Sequence, residues 1–208
     1  MSNSESNETL TRMGPGAAMG RVFRQFWQPA LLSEELPVAD CPPVRVRLMG
    51  EDFVAFRDSS GKVGLLDAHC PHRLADLFFG RNEEGGLRCV YHGWKFSVAG
   101  EILDMPSEPQ GSPMRCNPNL RAKAYPVREA GGIIWAYLGP QESMPALPDM
   151  EFMSLPPQNV HVSKCLMKCN YLQALEGSID TAHLTFLHHS MAPMEKDVFA
   201  VGNLQEFG

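Results

Sequence analysis

From Val44 to Leu138 the apolar positions come in short runs separated by polar or glycine-containing breaks. Val44–Leu48 alternates in part. Gly50-Glu51-Asp52 turns the chain into Phe53–Arg57, and Asp58-Ser59-Ser60-Gly61 turns it again into Val63–Asp67. Leu87–Tyr91, Trp94–Val98 with a turn at Ala99-Gly100, Ala124–Val127 and Ile133–Leu138 continue the series. Runs this short predict a small antiparallel β-sandwich or barrel. The flanks are patterned differently. Ser2 to about Gly20 is polar and then glycine-rich. Over Arg21–Leu36 follow Phe23, Phe26, Trp27, Leu31 and Leu32, an apolar set suited to anchoring an N-terminal arm. Gly139–Pro157 contains Pro140, Pro145, Pro148, Pro156 and Pro157; proline donates no backbone hydrogen bond, so the stretch reads as a linker. Leu166–Leu187 has no proline and carries Leu172, Leu175, Ile179, Ala182 and Phe186 at three-to-four spacing, which predicts a helix. The expected organisation is an arm over 1–40, a β domain over 41–140, a linker over 141–157 and the start of a further domain over 158–208. The fold class is mainly β with some α.

Composition narrows the function. The net charge of −6 leaves no basic footprint for nucleic acid, and no apolar run approaches the roughly 18 residues of a membrane helix. The first residues lack the basic start and apolar middle of a signal peptide, so a cytoplasmic protein is expected. Six cysteines do not read as a disulfide scaffold, a class that is usually short and secreted. Two of them sit beside histidines at tight spacing, which points to metal. Cys41, Cys116, Cys165 and Cys169 have no such company and read as free thiols packed in or near a core. Cys165 and Cys169, four apart, would share a helix face, but no histidine nearby in sequence completes a site.

Cys70-Pro71-His72 is followed by Cys89-Val90-Tyr91-His92. Each half supplies one thiol and one imidazole from what reads as a turn between strands. A tetrahedral zinc site is the competing reading, but zinc modules usually pair Cys with Cys and His with His along the chain. One of each per loop suits a [2Fe–2S] cluster with both cysteines on one iron and both histidines on the other.

The flanking residues, His69-Cys70-Pro71-His72-Arg73 and Cys89-Val90-Tyr91-His92-Gly93-Trp94-Lys95-Phe96, resemble the Rieske domains of aromatic-ring-hydroxylating oxygenases. Respiratory Rieske proteins carry an additional cysteine in each loop, which neither loop has here. The oxygenase or ferredoxin branch is favoured, with potentials at the low end of roughly −150 to +300 mV. The resemblance makes Cys70, His72, Cys89 and His92 the cluster ligands. His69 reads as a surface or supporting residue, and Arg73, Tyr91 and Trp94 as packing around the cluster. Where the family commonly has glycine after Cys-Pro-His-Arg, this chain has Leu74.

The helical stretch also carries polar groups. Taking Asp180 as zero, Glu176 falls at about −40°, His183 at about −60° and His188 at about +80° on an ideal helix. Two histidines and a carboxylate are the parts of the facial triad of non-haem Fe(II) oxygenases. This segment resembles the mononuclear-iron motif of Rieske oxygenase α subunits. The whole chain looks most like their phthalate-dioxygenase branch, through Gly14-Pro15-Gly16, Arg45-Val46-Arg47-Leu48, Leu77-Phe78-Phe79-Gly80-Arg81-Asn82 and Leu175-Glu176-Gly177. The resemblance implies that His183 and His188 bind iron, His188 being preferred over the adjacent His189. It makes Asp180 a bridge between His183 and, across a subunit contact, His92 of a neighbouring chain. The third iron ligand is then a carboxylate beyond residue 208, in a helix-grip-like α+β catalytic domain of which 158–208 is the start. Also implied are an NAD(P)H-dependent flavin/iron–sulfur reductase as partner, an aromatic acid and O₂ as substrates, and a trimer-based homo-oligomer. With its catalytic half missing, the chain alone is expected to hold the cluster without turning over. The rival readings are an electron-carrying Rieske ferredoxin, which would need neither the arm nor the Asp180–His183–His188 segment, and an inactive remnant.

Overall fold

The structure, a computed structural model, describes residues 4–115, 117 and 119–187, with Thr185 as backbone only. The chain forms two compact units, Met1–Lys164 and Cys165–Gly208. Among the described residues no helix is long and apolar enough to cross a membrane.

In the first unit, helices α1 (Ser4–Thr11) and α2 (Ala18–Phe23) precede the strands. These are β1 (Trp27–Leu32), β2 (Val44–Leu48), β3 (Glu51–Arg57), β4 (Val63–Asp67), β5 (Arg81–Glu83), β6 (Gly86–Arg88), β7 (Lys95–Phe96), β8 (Ile102–Asp104), β9 (Ala124–Tyr125), β10 (Val127–Ala130) and β11 (Ile133–Tyr137). They form three antiparallel sheets, ordered β1-β11-β10, β2-β3-β4-β9 and β5-β6-β7-β8. The mainly β expectation holds, with the strands short and the helices few.

Turn chemistry sets the registers. Leu48 pairs with Glu51 across Met49-Gly50, and Glu83 pairs with Gly86 across Glu84-Gly85. Both residues of each pair have positive φ, the mirror-image turn whose twist matches that of the flanking strands. The first turn thus sits one residue earlier than the glycine and acidic pattern predicts, and Glu51 already belongs to β3. Between β3 and β4, the buried Asp58 carboxylate accepts from the Ser60 N–H, the Ser60 hydroxyl and the Lys62 N–H.

Phe53, Val54, Ala55 and Phe56 are all buried, although alternate residues of a strand point to opposite faces. The reason is that the middle sheet has cores on both sides. Phe53, Ala55 and Leu65 pack with Leu31, Leu36, Val46, Ile134 and Ala136. Val54, Phe56 and Leu66 pack with Leu77, Leu87, Trp94, Phe96 and, from the same core, Cys70 and Cys89. A third cluster, Trp27, Trp135 and Tyr137, is covered by Met144, Leu147, Met150, Phe152 and Met153. The proline-rich stretch is therefore packed, and the Trp27 indole N–H donates to the Pro145 carbonyl. The N-terminal arm is fixed through Arg24, which donates to the Met13 carbonyl and pairs with Glu51.

In the second unit α3 spans Tyr171–Ile179, its first turn closed by the Asn170 side chain accepting from the Gln173 N–H. The helix expected over Leu166–Leu187 is thus shorter. It stops because Asp180 is extended, and its carboxylate accepts from the Ala182 N–H to open a separate short turn, Ala182–Thr185. The angular positions drawn from one continuous helix do not apply beyond Ile179. Cys165 and Cys169 are exposed on an irregular stretch before α3 and share no helix face, which corrects the reading of them as packed thiols. Cys41 is buried, and Cys116 lies outside the described residues.

Candidate metal centre

The two loops that carry the Cys/His pairs are closed by the same backbone hydrogen bonds. Between β4 and β5, the Cys70 N–H donates to the Ala75 carbonyl and the Leu74 N–H donates back to the Cys70 carbonyl, at 2.8 and 2.9 Å. Between β6 and β7, the Cys89 N–H donates to the Trp94 carbonyl and the Gly93 N–H donates back to the Cys89 carbonyl, at 2.8 and 3.0 Å. The fifth residue of each ring is left-handed: Leu74 at φ 56° and Gly93 at φ 75°. Each ring buries its cysteine, Cys70 at 1% and Cys89 at 2% exposure, and presents its histidine nearer the surface. The two imidazoles meet, ring centroids 4.6 Å apart and planes at 65°. His72 also stacks flat on Trp94 of the opposite loop, at 4.4 Å and 3°, and the Tyr91 ring lies 3.9 Å from His92.

Burial pushes the Cys70 thiol up to about 11, the His72 and Arg73 N–H groups pull it down, and the neighbouring Cys89 thiol adds to the rise. A thiolate there at neutral pH needs a cation to balance it. The His72 imidazole is shifted down, first by burial and then by His92 and Arg73, which favours the neutral form that ligates metals. Among the described residues, no three of His, Cys, Asp and Glu converge to hold one ion. A [2Fe–2S] centre of Rieske type asks for only two protein ligands per iron, so two buried thiols and two rim imidazoles fit it.

Comparison with known proteins agrees with that donor set. The family model for the Rieske [2Fe–2S] domain matches residues 26–126, and the one described as LigXa C-terminal domain like matches residues 136–201. The chain belongs to the Rieske oxygenases. It is 49% identical to the 3-chlorobenzoate-3,4-dioxygenase oxygenase subunit of Comamonas testosteroni, over 90% of this chain and 43% of that protein. It is 45% identical to the phthalate 4,5-dioxygenase oxygenase subunit of Pseudomonas putida, over 91% of this chain and 43% of that one. The chain therefore spans less than half the length of these relatives. Among solved structures it resembles dicamba monooxygenase bound to 3,6-dichlorosalicylic acid, with a TM-score of 0.66 and 26% identity over 79% of this chain and 47% of that one.

Around the Rieske loops, Trp94 is fully buried and its indole N–H donates to the Ser107 hydroxyl, which fixes the ring under His72. Tyr91 and Arg73 are exposed, Tyr91 against His92 and Arg73 within electrostatic reach of His72. His69 is exposed too, its backbone bridging to Asp76. Sequence reasoning missed Arg88 and Pro106. The mostly buried Arg88 guanidinium donates to Glu83, Asp104 and the Gly93 carbonyl. Pro106 lies so close to Gly93 that a Cβ there would sit 2.6 Å from its Cγ. A charged residue directly before Cys89, on a strand otherwise facing a core, was the available signal for Arg88.

In the second unit the structure brings Asp180 and His183 together, Oδ2 to Nδ1 at 3.2 Å. The Asp180 carboxyl lies below the usual range, held there first by the Ala182 N–H and then by His183. Glu176 accepts from the Gln173 side chain. His188 and His189 lie outside the described residues. A histidine tied to a carboxylate through Nδ1 is set up to ligate metal through Nε2.

Proposed function

We propose that this chain is the N-terminal part of the oxygenase component of an aromatic-ring Rieske oxygenase acting on an aromatic carboxylate. Cys70, His72, Cys89 and His92 are its cluster ligands, and His183 and His188 its two histidine ligands to a mononuclear Fe(II). The pair of matching loops, each burying one thiol and presenting one imidazole, is the observation that carries the reading. The relatives named for chlorobenzoate and phthalate support the substrate class.

When bound, the cluster supplies one-electron storage and the Fe(II) supplies a site for O₂. The residues of the chain do the rest. The Cys70 and Cys89 thiolates sit in an apolar core, where the His72 and Arg73 backbone N–H groups favour charge on Cys70. The rim position of His72 and His92 makes their side of the domain the place where an electron enters or leaves. Asp180 orients His183 through Nδ1 and accepts or returns a proton there. The partner is an NAD(P)H-dependent flavin and iron–sulfur reductase, and the intact protein is a trimer-based homo-oligomer. Both proposals rest on family membership and on the rim position of the imidazoles.

Iron and acid-labile sulfide analysis of the purified chain tests the cluster assignment. Two irons and two sulfides per chain, with a Rieske electron paramagnetic resonance signal on reduction, are expected. One zinc per chain and no sulfide would refute it.

A further inference from the structure

Arg88 is mostly buried and touches a ligand-bearing loop. Its Nε donates to Glu83 Oε1 at 2.6 Å, and its Nη1 donates to Asp104 Oδ2 at 2.8 Å and to the Gly93 carbonyl at 2.7 Å. Glu83 comes from β5 and Asp104 from β8, so two carboxylates on different strands of one sheet fix the plane of the guanidinium. The carbonyl it holds belongs to the peptide joining Gly93 to Trp94. On one side of that peptide Gly93 follows His92. On the other, Trp94 is the ring on which His72 stacks. One hydrogen bond therefore constrains both the loop that carries His92 and the residue against which His72 stacks.

Ordinary packing does not account for this arrangement. A surface ion pair is satisfied by one carboxylate and contributes little. Arg88 has Glu83 and Asp104 at hydrogen-bond distance and Glu84 at 4.0 Å, with a further contact directed at a carbonyl inside the Cys89–Trp94 ring. Pro106 packs against Gly93 on the side where a Cβ would be, leaving no room for a side chain there. Arg88 and Pro106 thus grip the same residue from two directions.

We infer that Arg88 is a positioning residue for the cluster: anchored by Glu83 and Asp104, it sets the placement of the His92 loop and through it the electronic character of the centre. The inference rests on the ligand assignment above. Lysine keeps the charge but lacks the planar fork that reaches three acceptors, so it separates placement from charge.

The test uses the full chain with its cluster, in the variants Arg88→Met, Arg88→Lys and Asp104→Asn. The measured quantities are the midpoint potential and the resonance g-values of the reduced centre. Both Arg88 variants are expected to shift the potential by an equilibrium factor of about ten, ~59 mV for one electron, and to change the g-values. Asp104→Asn, which removes one charged partner of the guanidinium and leaves Glu83 and Glu84, is expected to fall between them and the parent. Parental g-values and potential in loaded Arg88→Met would overturn the inference even if its melting temperature fell. So would full restoration by Arg88→Lys, which would show charge alone at work. If Arg88→Met does not retain the cluster, the other two variants decide by the same criteria. Failure of the ligand assignment is distinguishable, because the parent chain would then show no Rieske signal at all.

Discussion

Replacing Gly93 with alanine should destabilise the protein by about 3 kcal/mol, and the structure supplies both parts of that figure. The residue sits at φ 75°, where an L side chain costs roughly 1–2 kcal/mol. Its Cβ would stand 2.6 Å from Pro106 Cγ, and overpacking of that kind costs roughly 1–3 kcal/mol. The lower entropy of alanine in the unfolded chain returns about 0.4–1 kcal/mol. Leu74 is the internal control, because it occupies the equivalent place in the other ring at φ 56° and is 73% exposed. Leu74→Gly relieves left-handed strain and loses little burial, so a gain of about 0.5 kcal/mol is expected. At roughly 2–4 °C per kcal/mol for a chain of this size, Gly93→Ala should lower the melting temperature by about 6–12 °C and Leu74→Gly should raise it by about 1–2 °C. Circular dichroism melts at matched scan rates, with visible absorption followed in parallel, would measure both. A Gly93→Ala protein melting within about 2 °C of the parent would refute the reasoning.

Three further outcomes follow from the geometry. Cys89→Ser should abolish the visible Rieske spectrum while His183→Ala leaves it intact; loss of the spectrum in the His183 variant would show the ligands to be wrongly divided between the two sites. Glu129 receives two hydrogen bonds from Arg57, which hold its carboxyl below the usual range. Its folded value lies below its unfolded one, so the stabilisation is complete above about pH 4.3 and is lost as pH falls through the folded value. The melting-temperature gap between the parent and Glu129→Gln should therefore be open at pH 7 and close in acid, and a gap independent of pH would count against the pair. Trp94→Leu removes the ring stacked on His72 and should shift the visible spectrum of the loaded protein, whereas Trp94→Phe, which can still stack, should shift it less.

The strands over Val44–Leu48, Phe53–Arg57, Val63–Asp67 and Ile133–Leu138 were legible because their apolar runs are bounded by turn residues. β1 was not, because Pro29 interrupts it. The structure tolerates that proline at a sheet edge, where β1 pairs only with β11 and the register shifts between Pro29 and Leu31. β5 and β8 were illegible for another reason: at three residues each, Arg81–Glu83 and Ile102–Asp104 are too short to show alternation, and their partners make them strands. The end of α3 is a local competition that periodicity does not register, since Asp180 satisfies the Ala182 N–H with its own carboxylate. At the metal centre, the thiol and imidazole spacing was readable from the chain itself. The matching backbone rings, the Trp94 stack and the Arg88 anchor were not, because each depends on residues brought together by the sheets.

Cys70 and Cys89 belong to the same apolar core as Phe56, Leu66 and Trp94. That has a consequence for how the protein is made. Both sulfurs are almost fully enclosed, Cys70 at 1% and Cys89 at 2% exposure, and burial raises the Cys70 thiol, so charge on that sulfur needs a cation beside it. Metal binding there takes the proton from each sulfur, so loading the centre and closing this core are coupled. A chain stripped of iron should therefore melt at a lower temperature than the loaded one.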